Sequence, residues 1–383
     1  MTRHEEALEI LHEGTVIPAN PLALDENRQF DEIRQRAITR YYLEAGAGGV
    51  AVGVHTTQFE IRDPKHNLLA RVLTIAKEEA DAFEKRSGKT VVTVAGVCGK
   101  TEQALAEAAL AKDLGYDAVL LSPGGLNALS EDEMVARTEA VAKIMPVIGF
   151  YLQPAVGGRV FTYRYWERIC AIPNVVAIKA APFNRYLTLD VVRAAALSER
   201  SDEIALYTGN DDNIVLDLIA KYKFVKDGES YEKSFVGGLL GHWSVWTKRA
   251  VEIFERCKKA KALDRVPDDI FVLANEVTDT NAAFFDTANG FKGCIAGLHE
   301  VLRRQGLFRG TWCLNPDEKM SEGQLEEIER VYKAYPHLND DAFVKDNLAL
   351  FMKDMKEQSK SPKPCNAQNF GDLLNKEFSN ERI

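Results

Sequence analysis

The chain lacks the short motifs that would assign it to a metal or to a nucleoside triphosphate. None of its seven histidines belongs to an HExxH pattern, and its six cysteines lie far apart with no CxxC pair. We therefore expect no metal site. Gly99-Lys100-Thr101 ends like a phosphate-binding loop, but that motif requires glycine at position 94, where the chain has Val94. The motif is incomplete, so we do not assign it.

Other absences concern membranes, export and nucleic acids. No apolar run approaches the roughly 20 residues that span a bilayer, and residues 1–13 lack the apolar segment of a secretory signal. The 48 Lys and Arg residues are outnumbered by 57 Asp and Glu, giving a net charge of −9 without a basic patch, which disfavours nucleic-acid binding. Widely spaced cysteines fit reduced thiols. We expect a cytoplasmic protein with neither a membrane nor a nucleic acid as partner.

What the sequence does contain is a regular alternation of apolar runs with amphipathic helical stretches. Eight runs rich in apolar and β-branched residues resemble strands buried on both faces, and they lie at 15–19, 49–54, 90–97, 118–121, 146–151, 175–179, 204–207 and 235–240. One of the intervening helices begins with the capping-box pair Ser130 and Glu133. Eight strands, each followed by a helix, predict an α/β fold, the (β/α)8 TIM barrel, over residues 14–250.

Beyond the barrel the sequence becomes helical. Candidate helices cover 243–260, 270–288, 293–305 and 321–334, which predicts a C-terminal helical region over 251–340, packed on one side of the barrel. We assign 341–383 to a tail. Its last stretch contains Ser-Lys-Ser-Pro-Lys-Pro and few large apolar residues, which is typical of a segment that is partly disordered or docked on a neighbouring subunit.

Two strand ends carry side chains with catalytic chemistry, and in a TIM barrel the chemistry lies at these ends. Lys179 closes the sixth run, where burial would lower its pKa and leave the neutral amine that attacks a carbonyl to form a Schiff base. Tyr151 closes the fifth run, within reach to move a proton. Position alone leaves the structural alternatives open, an ion pair at the barrel rim for Lys179 and a packed aromatic for Tyr151.

In combination these segments resemble the dihydrodipicolinate synthase/N-acetylneuraminate lyase family of class I pyruvate-dependent aldolases and lyases. The matching motifs are Tyr151-Leu152-Gln153-Pro154, Ile178-Lys179-Ala180-Ala181 and Tyr207-Thr208-Gly209-Asn210-Asp211, and Lys179 follows Tyr151 by 28 residues, similar to the family. The resemblance covers about residues 14–335. It implies a homotetrameric lyase that joins or cleaves a 2-keto acid and an aldehyde, or a keto-deoxy sugar acid dehydratase, with Lys179 as the Schiff-base lysine and Tyr151 as the proton-shuttling phenol. No cofactor is implied, because the imine itself withdraws the electrons.

The resemblance also implies a binding loop for the keto-acid carboxylate. The family's Gly-Thr-Thr-Gly-Glu aligns without a gap onto residues 54–58, which puts His55 and Thr56 at the paired threonines. An alignment shifted by one residue puts Thr56 and Thr57 there instead, and the sequence does not decide between them. In either case Gly209 and Asn210 are expected to line the same pocket.

Two departures from the family pattern bear on the substrate. Members that make dihydrodipicolinate have Pro-Tyr-Tyr where this chain has Pro123-Gly124-Gly125, and an arginine where it has Val156. Both argue against a true dihydrodipicolinate synthase and predict an uncharged aldehyde, sugar-derived or aromatic, in place of aspartate semialdehyde. A competing interpretation is a catalytically idle paralogue that binds a keto acid.

Overall fold

Parallel strands close into a barrel in the computed structural model, which describes residues 1–353. The ten strands of these residues are β1 (Val16–Pro18), β2 (Gly49–Val52), β3 (Val92–Val97), β4 (Ala118–Leu121), β5 (Val147–Leu152), β6 (Val175–Ala181), β7 (Ala205–Thr208), β8 (Tyr222–Lys226), β9 (Glu229–Lys233) and β10 (Phe235–Leu240). Eight of them pair in the order β1-β10-β7-β6-β5-β4-β3-β2. A parallel bridge between Ala19 and Ala51 joins the two ends of this sheet. The predicted TIM barrel is confirmed.

Helices cover the outside of the barrel and continue beyond it. Those within residues 1–353 are α1 (Arg3–Glu13), α2 (Glu32–Ala45), α3 (Leu69–Ser87), α4 (Thr101–Asp113), α5 (Glu131–Ala142), α6 (Tyr163–Ala171), α7 (Arg185–Ala196), α8 (Ile214–Ile219), α9 (Thr247–Lys261), α10 (Asp268–Phe284), α11 (Cys294–Arg304), α12 (Gln324–Ala334) and α13 (Asp341–Phe351). Helices α2 to α9 follow the barrel strands, and α9 to α12 overlap the four helices predicted after the last strand. None of the helices in this part of the chain has the length and apolarity of a membrane span.

The strands present two separate apolar faces, because successive residues of a strand point to opposite sides. One face fills the barrel interior and includes Ile148 and Phe150 of β5 and Ala177 of β6. The other face packs under the helices and includes Tyr151 and Ile178. The face to which a residue belongs decides whether its side chain can reach a ligand at the mouth of the barrel.

Helix α1, which precedes the predicted barrel, closes the N-terminal end of the barrel. Its Ala7 and Leu11 are buried against the interior residues, and Tyr207 at the end of β7 donates its hydroxyl hydrogen to the Leu11 carbonyl over 2.7 Å. The side chain of Thr2 accepts a hydrogen bond from Glu5 N as part of a capping box. With this end covered, the C-terminal end of the strands is left for a ligand.

The hairpin of β8 and β9 is an insertion that the periodicity did not predict. Its two antiparallel strands carry mainly exposed, charged residues, so they lack the apolar run of a barrel strand. Asp227 and Gly228 form the turn, both with positive φ angles of 53° and 84°. An Asp-Gly pair between alternating residues is the strongest short-range hairpin signal, and it was available in the sequence.

Helix α13 lies within the residues that the sequence assigned to the tail, and the structure corrects this boundary. The rings of Phe343 and Phe351 lie 6.3 and 5.9 Å from that of Tyr41 on α2, and Arg40 donates to the Phe351 carbonyl over 2.8 Å. The buried Phe351 and the partly buried Phe343 thus tie α13 to the barrel's helical layer. The rest of the predicted tail, 354–383, lies outside the described residues.

We predict that Phe351→Ala lowers the free energy of unfolding by about 3–5 kcal/mol, because it leaves a cavity where a fully buried ring was. The matched control is Leu350→Ala in the same helix, since Leu350 is 39% exposed; its effect should stay within about 0.5 kcal/mol. Urea denaturation followed by circular dichroism measures both. Equal losses in the two variants would contradict the packing assigned to α13.

Candidate active site

Lys179 points into the barrel interior near the C-terminal end of β6, as predicted. Its side chain is 8% exposed, and its Nζ lies 4.4 Å from the centre of the Phe150 ring. The stem of the lysine runs past Gly209, where an added Cβ atom would lie 2.5 Å from Lys179 Cε and 2.8 Å from Ala181 Cβ. Gly209 is therefore required to leave room for the lysine.

A buried carboxylate, that of Asp211, shares the pocket with this amine. Burial lowers the pKa of Lys179, because an ammonium is poorly solvated there, while the charge of Asp211 opposes the shift. Burial likewise raises the pKa of Asp211, opposed by a hydrogen bond from His242 N to Oδ1 over 2.8 Å and by the charge of Lys179. The two shifts bring the pKa values of Lys179 and Asp211 closer together than those of an ordinary lysine and aspartate.

The structure contradicts the predicted position of Tyr151. Its side chain lies in the outer layer, fully buried between β5 and α6, with its ring stacked 5.2 Å from that of Trp166. The Tyr151 hydroxyl accepts a hydrogen bond from Phe161 N over 3.1 Å. Phe150, the residue before it, is the one that faces Lys179.

A β-bulge near the start of β6 explains this difference. Val147 lies opposite Val175, 28 positions further on, but the pairing then shifts by one residue and Lys179 lies opposite Phe150, an offset of 29. The 28-residue spacing would bring Tyr151 level with Lys179 only in a sheet without the bulge. One extra residue in a strand moves all following side chains relative to the neighbouring strand.

The loop after β2 contributes two of its three predicted residues to the pocket. His55 and Thr56 line it, whereas Thr57 Oγ1 accepts a hydrogen bond from Gly53 N and donates one to Asn20 O over 2.6 Å. Thr57 thus braces the loop, and the geometry favours the alignment without a shift. Burial and the charge of Lys179 lower the pKa of His55 to about 4, which keeps its ring neutral near pH 7.

Asn210, the other predicted ligand, is turned away from the pocket. Its amide is fully buried: Oδ1 accepts a hydrogen bond from Phe183 N over 3.1 Å, and Nδ2 donates to Asp217 Oδ2 over 2.9 Å and to Thr188 Oγ1 over 3.2 Å. Asn210 therefore fixes the loop after β6, while the neighbouring Gly209 lines the pocket.

Most of the pocket wall is apolar; the sequence had pointed to Val156 but not to most of the other apolar residues there. The lining residues beyond the predicted site residues are Ala19, Val54, Phe150, Leu152, Gln153, Val156, Ala181, Phe183, Asp211, Gly241, Phe285, Phe291 and Cys294. The alternation of Ile148, Phe150 and Leu152 could have identified Phe150, and Asp211 ends a motif already singled out. Phe285 and Phe291 come from the segment between α10 and α11, and Cys294 is the first residue of α11. No local pattern links these three residues to the barrel mouth.

Comparison with known proteins relates the chain to one family of enzymes. The chain matches the model of the dihydrodipicolinate synthetase family over residues 13–221. It is 27% identical over 271 residues to 4-hydroxy-tetrahydrodipicolinate synthase of Staphylococcus carnosus, covering 68% of this chain and 82% of that protein. It is 28% identical over 179 residues to a probable 5-dehydro-4-deoxyglucarate dehydratase of Streptomyces coelicolor, covering 46% of this chain but only 50% of that protein.

Solved structures share the fold at lower identity. An N-acetylneuraminate lyase from Fusobacterium nucleatum superposes with a TM-score of 0.64 at 17% identity, covering 85% of this chain and 99% of that one. A dihydrodipicolinate synthase from Oceanobacillus iheyensis superposes with a TM-score of 0.68 at 16% identity, covering 88% of this chain and 100% of that one. At these identities the superpositions support the barrel and its C-terminal helices.

The lowered pKa of Lys179 predicts that its amine reacts at a lower pH than an ordinary lysine, whose pKa is about 10.4. Competitive labelling with acetic anhydride between about pH 6 and 11, read by mass spectrometry, gives the midpoint for each lysine. In Asp211→Asn the midpoint for Lys179 should fall further, because the charge that favours the ammonium is gone. A midpoint that rises in this variant would contradict the assigned sign of the interaction.

Proposed function

The chain belongs to the dihydrodipicolinate synthetase family, a family of lyases, and on that premise we propose that it is a Schiff-base-forming lyase acting on pyruvate or another 2-keto acid. The observation that carries the proposal is Lys179, a buried amine of lowered pKa at the C-terminal end of a barrel strand. A neutral amine in an apolar pocket is the form of lysine that adds to a ketone.

The reaction begins when the Lys179 amine attacks the ketone carbon and forms a carbinolamine. Loss of water gives the imine, whose positive charge withdraws electrons from the adjacent carbon, so that a proton leaves it and an enamine forms. The enamine joins to an aldehyde, or the reverse sequence cleaves one off. The loop with His55 and Thr56 lines the side of the pocket to which the family pattern assigns the keto-acid carboxylate.

Each of these steps moves a proton, and Asp211 is the group that we assign to it in place of Tyr151. Asp211 lines the pocket together with Lys179. One of its carboxylate oxygens, Oδ1, accepts a hydrogen bond from His242 N. Burial raises its pKa towards neutrality, where a carboxyl group both donates and accepts protons. The Tyr151 hydroxyl, by contrast, lies in the outer layer with Phe161 N, and the neutral ring of His55 is a poor acid.

The composition of the pocket wall favours an uncharged aldehyde as the reaction partner. Among residues 1–353, Lys179 is the one Lys or Arg that lines the pocket, and Val156 adds apolar surface to it. A second carboxylate on the substrate would be buried without a counter-charge, which is heavily penalised. We therefore assign the protein to a neutral aldehyde or its aldol adduct rather than to aspartate semialdehyde. Gly124 and Gly125 lie outside the residues that line the pocket.

The outward position of Tyr151 favours a second candidate, an idle paralogue that binds a keto acid without turning it over. The two candidates differ in whether protons move. An enzyme exchanges the methyl hydrogens of pyruvate with solvent through the enamine, whereas an idle paralogue leaves them in place.

We predict that borohydride in the presence of pyruvate attaches the reduced adduct to Lys179, because among residues 1–353 it is the lysine that lines the pocket and burial lowers its pKa. Peptide mass spectrometry locates the adduct. Lys179→Arg is the control, since it retains the positive charge but cannot form an imine. Saturating pyruvate with no adduct on Lys179 would refute the proposed function.

We further predict opposite outcomes for two conservative variants. Asp211→Asn should still form the borohydride-trapped adduct, but its exchange of pyruvate methyl hydrogens in deuterium oxide should slow by ~10²–10⁴, the contribution of a positioned acid–base group. Tyr151→Phe keeps the packed ring and should exchange at nearly the normal rate. Proton magnetic resonance measures the exchange, and the assay contains pyruvate alone, so the aldehyde partner need not be known. Slow exchange in Tyr151→Phe with normal exchange in Asp211→Asn would reverse the assignment.

A further inference from the structure

Two phenylalanines from distant parts of the chain meet at the pocket that holds Lys179. Phe183 lies in the loop after β6, and Phe291 lies between α10 and α11. Their ring centres are 5.9 Å apart with an angle of 73° between the planes, an edge-to-face pair, and both rings line the pocket. Both residues are only partly buried, so part of each ring is free to contact a ligand.

The backbone at both positions adopts an unfavourable conformation. The φ angles are 51° for Phe183 and 69° for Phe291, in the left-handed region that bulky residues avoid. Hydrogen bonds hold this geometry: Phe183 N donates to Asn210 Oδ1, and Phe291 N donates to the Asp286 carbonyl over 3.0 Å. Strained residues that persist beside a pocket often serve the ligand site.

Other aromatic and apolar groups extend the same surface. Phe150 lies under the Lys179 amine, and Phe285 packs against Gly241, where an added Cβ atom would lie 2.9 Å from the ring. Leu152 and Val156 add to the apolar lining. Flat aromatic ligands gain from such surroundings, because aromatic rings pack favourably edge-to-face or with an offset.

The pocket has few polar side chains that could form hydrogen bonds with the hydroxyl groups of a sugar. A sugar-derived aldehyde carries several hydroxyl groups, each of which loses water on binding and needs a new partner. Apart from Lys179 and Asp211, the lining offers the side chains of His55, Thr56, Gln153 and Cys294, and the Thr56 hydroxyl already donates to the Ala19 carbonyl over 2.8 Å. The wall therefore fits an aromatic ring better than a polyhydroxylated chain.

We infer that Phe183 and Phe291 form a binding subsite for the aromatic ring of the aldehyde partner, and that the enzyme condenses a 2-keto acid with an aromatic aldehyde or cleaves the corresponding adduct. The inference rests on the proposed function. In the forward direction the enamine carbon forms a carbon–carbon bond to the aldehyde carbon, whose oxygen takes up a proton. Water then hydrolyses the imine, which releases a 4-aryl-4-hydroxy-2-keto acid and free Lys179. No oxidant or reductant is needed.

The test compares kcat/KM for benzaldehyde and for glyceraldehyde, a neutral hydroxylated aldehyde, with pyruvate saturating. The wild-type protein should favour benzaldehyde by at least about tenfold, and Phe183→Leu and Phe291→Leu should each reduce that ratio by roughly two- to tenfold, the range expected from losing one aromatic contact. The control is Phe271→Leu on α10, a phenylalanine that is 51% exposed and outside the pocket, which should leave the ratio unchanged.

The outcomes separate the two proposals. Exchange of pyruvate methyl hydrogens together with equal or better use of glyceraldehyde by the wild-type protein would overturn the aromatic subsite and leave the lyase function standing. Absence of both exchange and the borohydride adduct would overturn the lyase function and the subsite with it. The wild-type ratio needs no variant, so the inference stays testable if either leucine variant fails to fold. A preference for benzaldehyde that survives unchanged in both folded variants would refute the role of this pair.

Discussion

The burial of one amine inside the barrel is the constraint on which the rest of the site depends. The stem of Lys179 runs past position 209, where the absence of a side chain leaves room for it. In this position, the ammonium form is disfavoured by burial and favoured by the charge of Asp211, whose own charged form is disfavoured by the same burial. The balance between these effects keeps both groups near the point at which each can gain or lose a proton.

Two residues that the sequence suggested as ligands instead hold the loops that form the pocket wall. Thr57 ties the loop after β2 to Asn20, and Asn210 holds the strained backbone of Phe183. These contacts leave Thr56, Gly209 and their neighbours facing the pocket. Polar side chains of the family motifs thus act through the position of the loops, and the direct surroundings of Lys179 are mainly aromatic and aliphatic.

The sequence was sufficient for features that depend on local pattern. The eight barrel strands follow from apolar runs, and the position of Lys179 follows from the end of one run. Tyr151 could not be placed by spacing, because a single bulged residue in β6 changes which side chains lie level across two strands. Phe285 and Phe291 reach the site through tertiary packing, and tertiary packing cannot be predicted from local sequence periodicity. Helix α13 was missed because the rings of Phe343 and Phe351 contact α2, about three hundred residues earlier in the chain.

A crystal structure of the protein soaked with pyruvate tests the central claim most directly. The account predicts continuous electron density from Lys179 Nζ to the second carbon of pyruvate, with the Asp211 carboxylate facing the adduct and the Tyr151 hydroxyl still bonded to Phe161 N. Unmodified Lys179 at saturating pyruvate, or an adduct with the Tyr151 hydroxyl turned into the barrel beside it, would contradict the account.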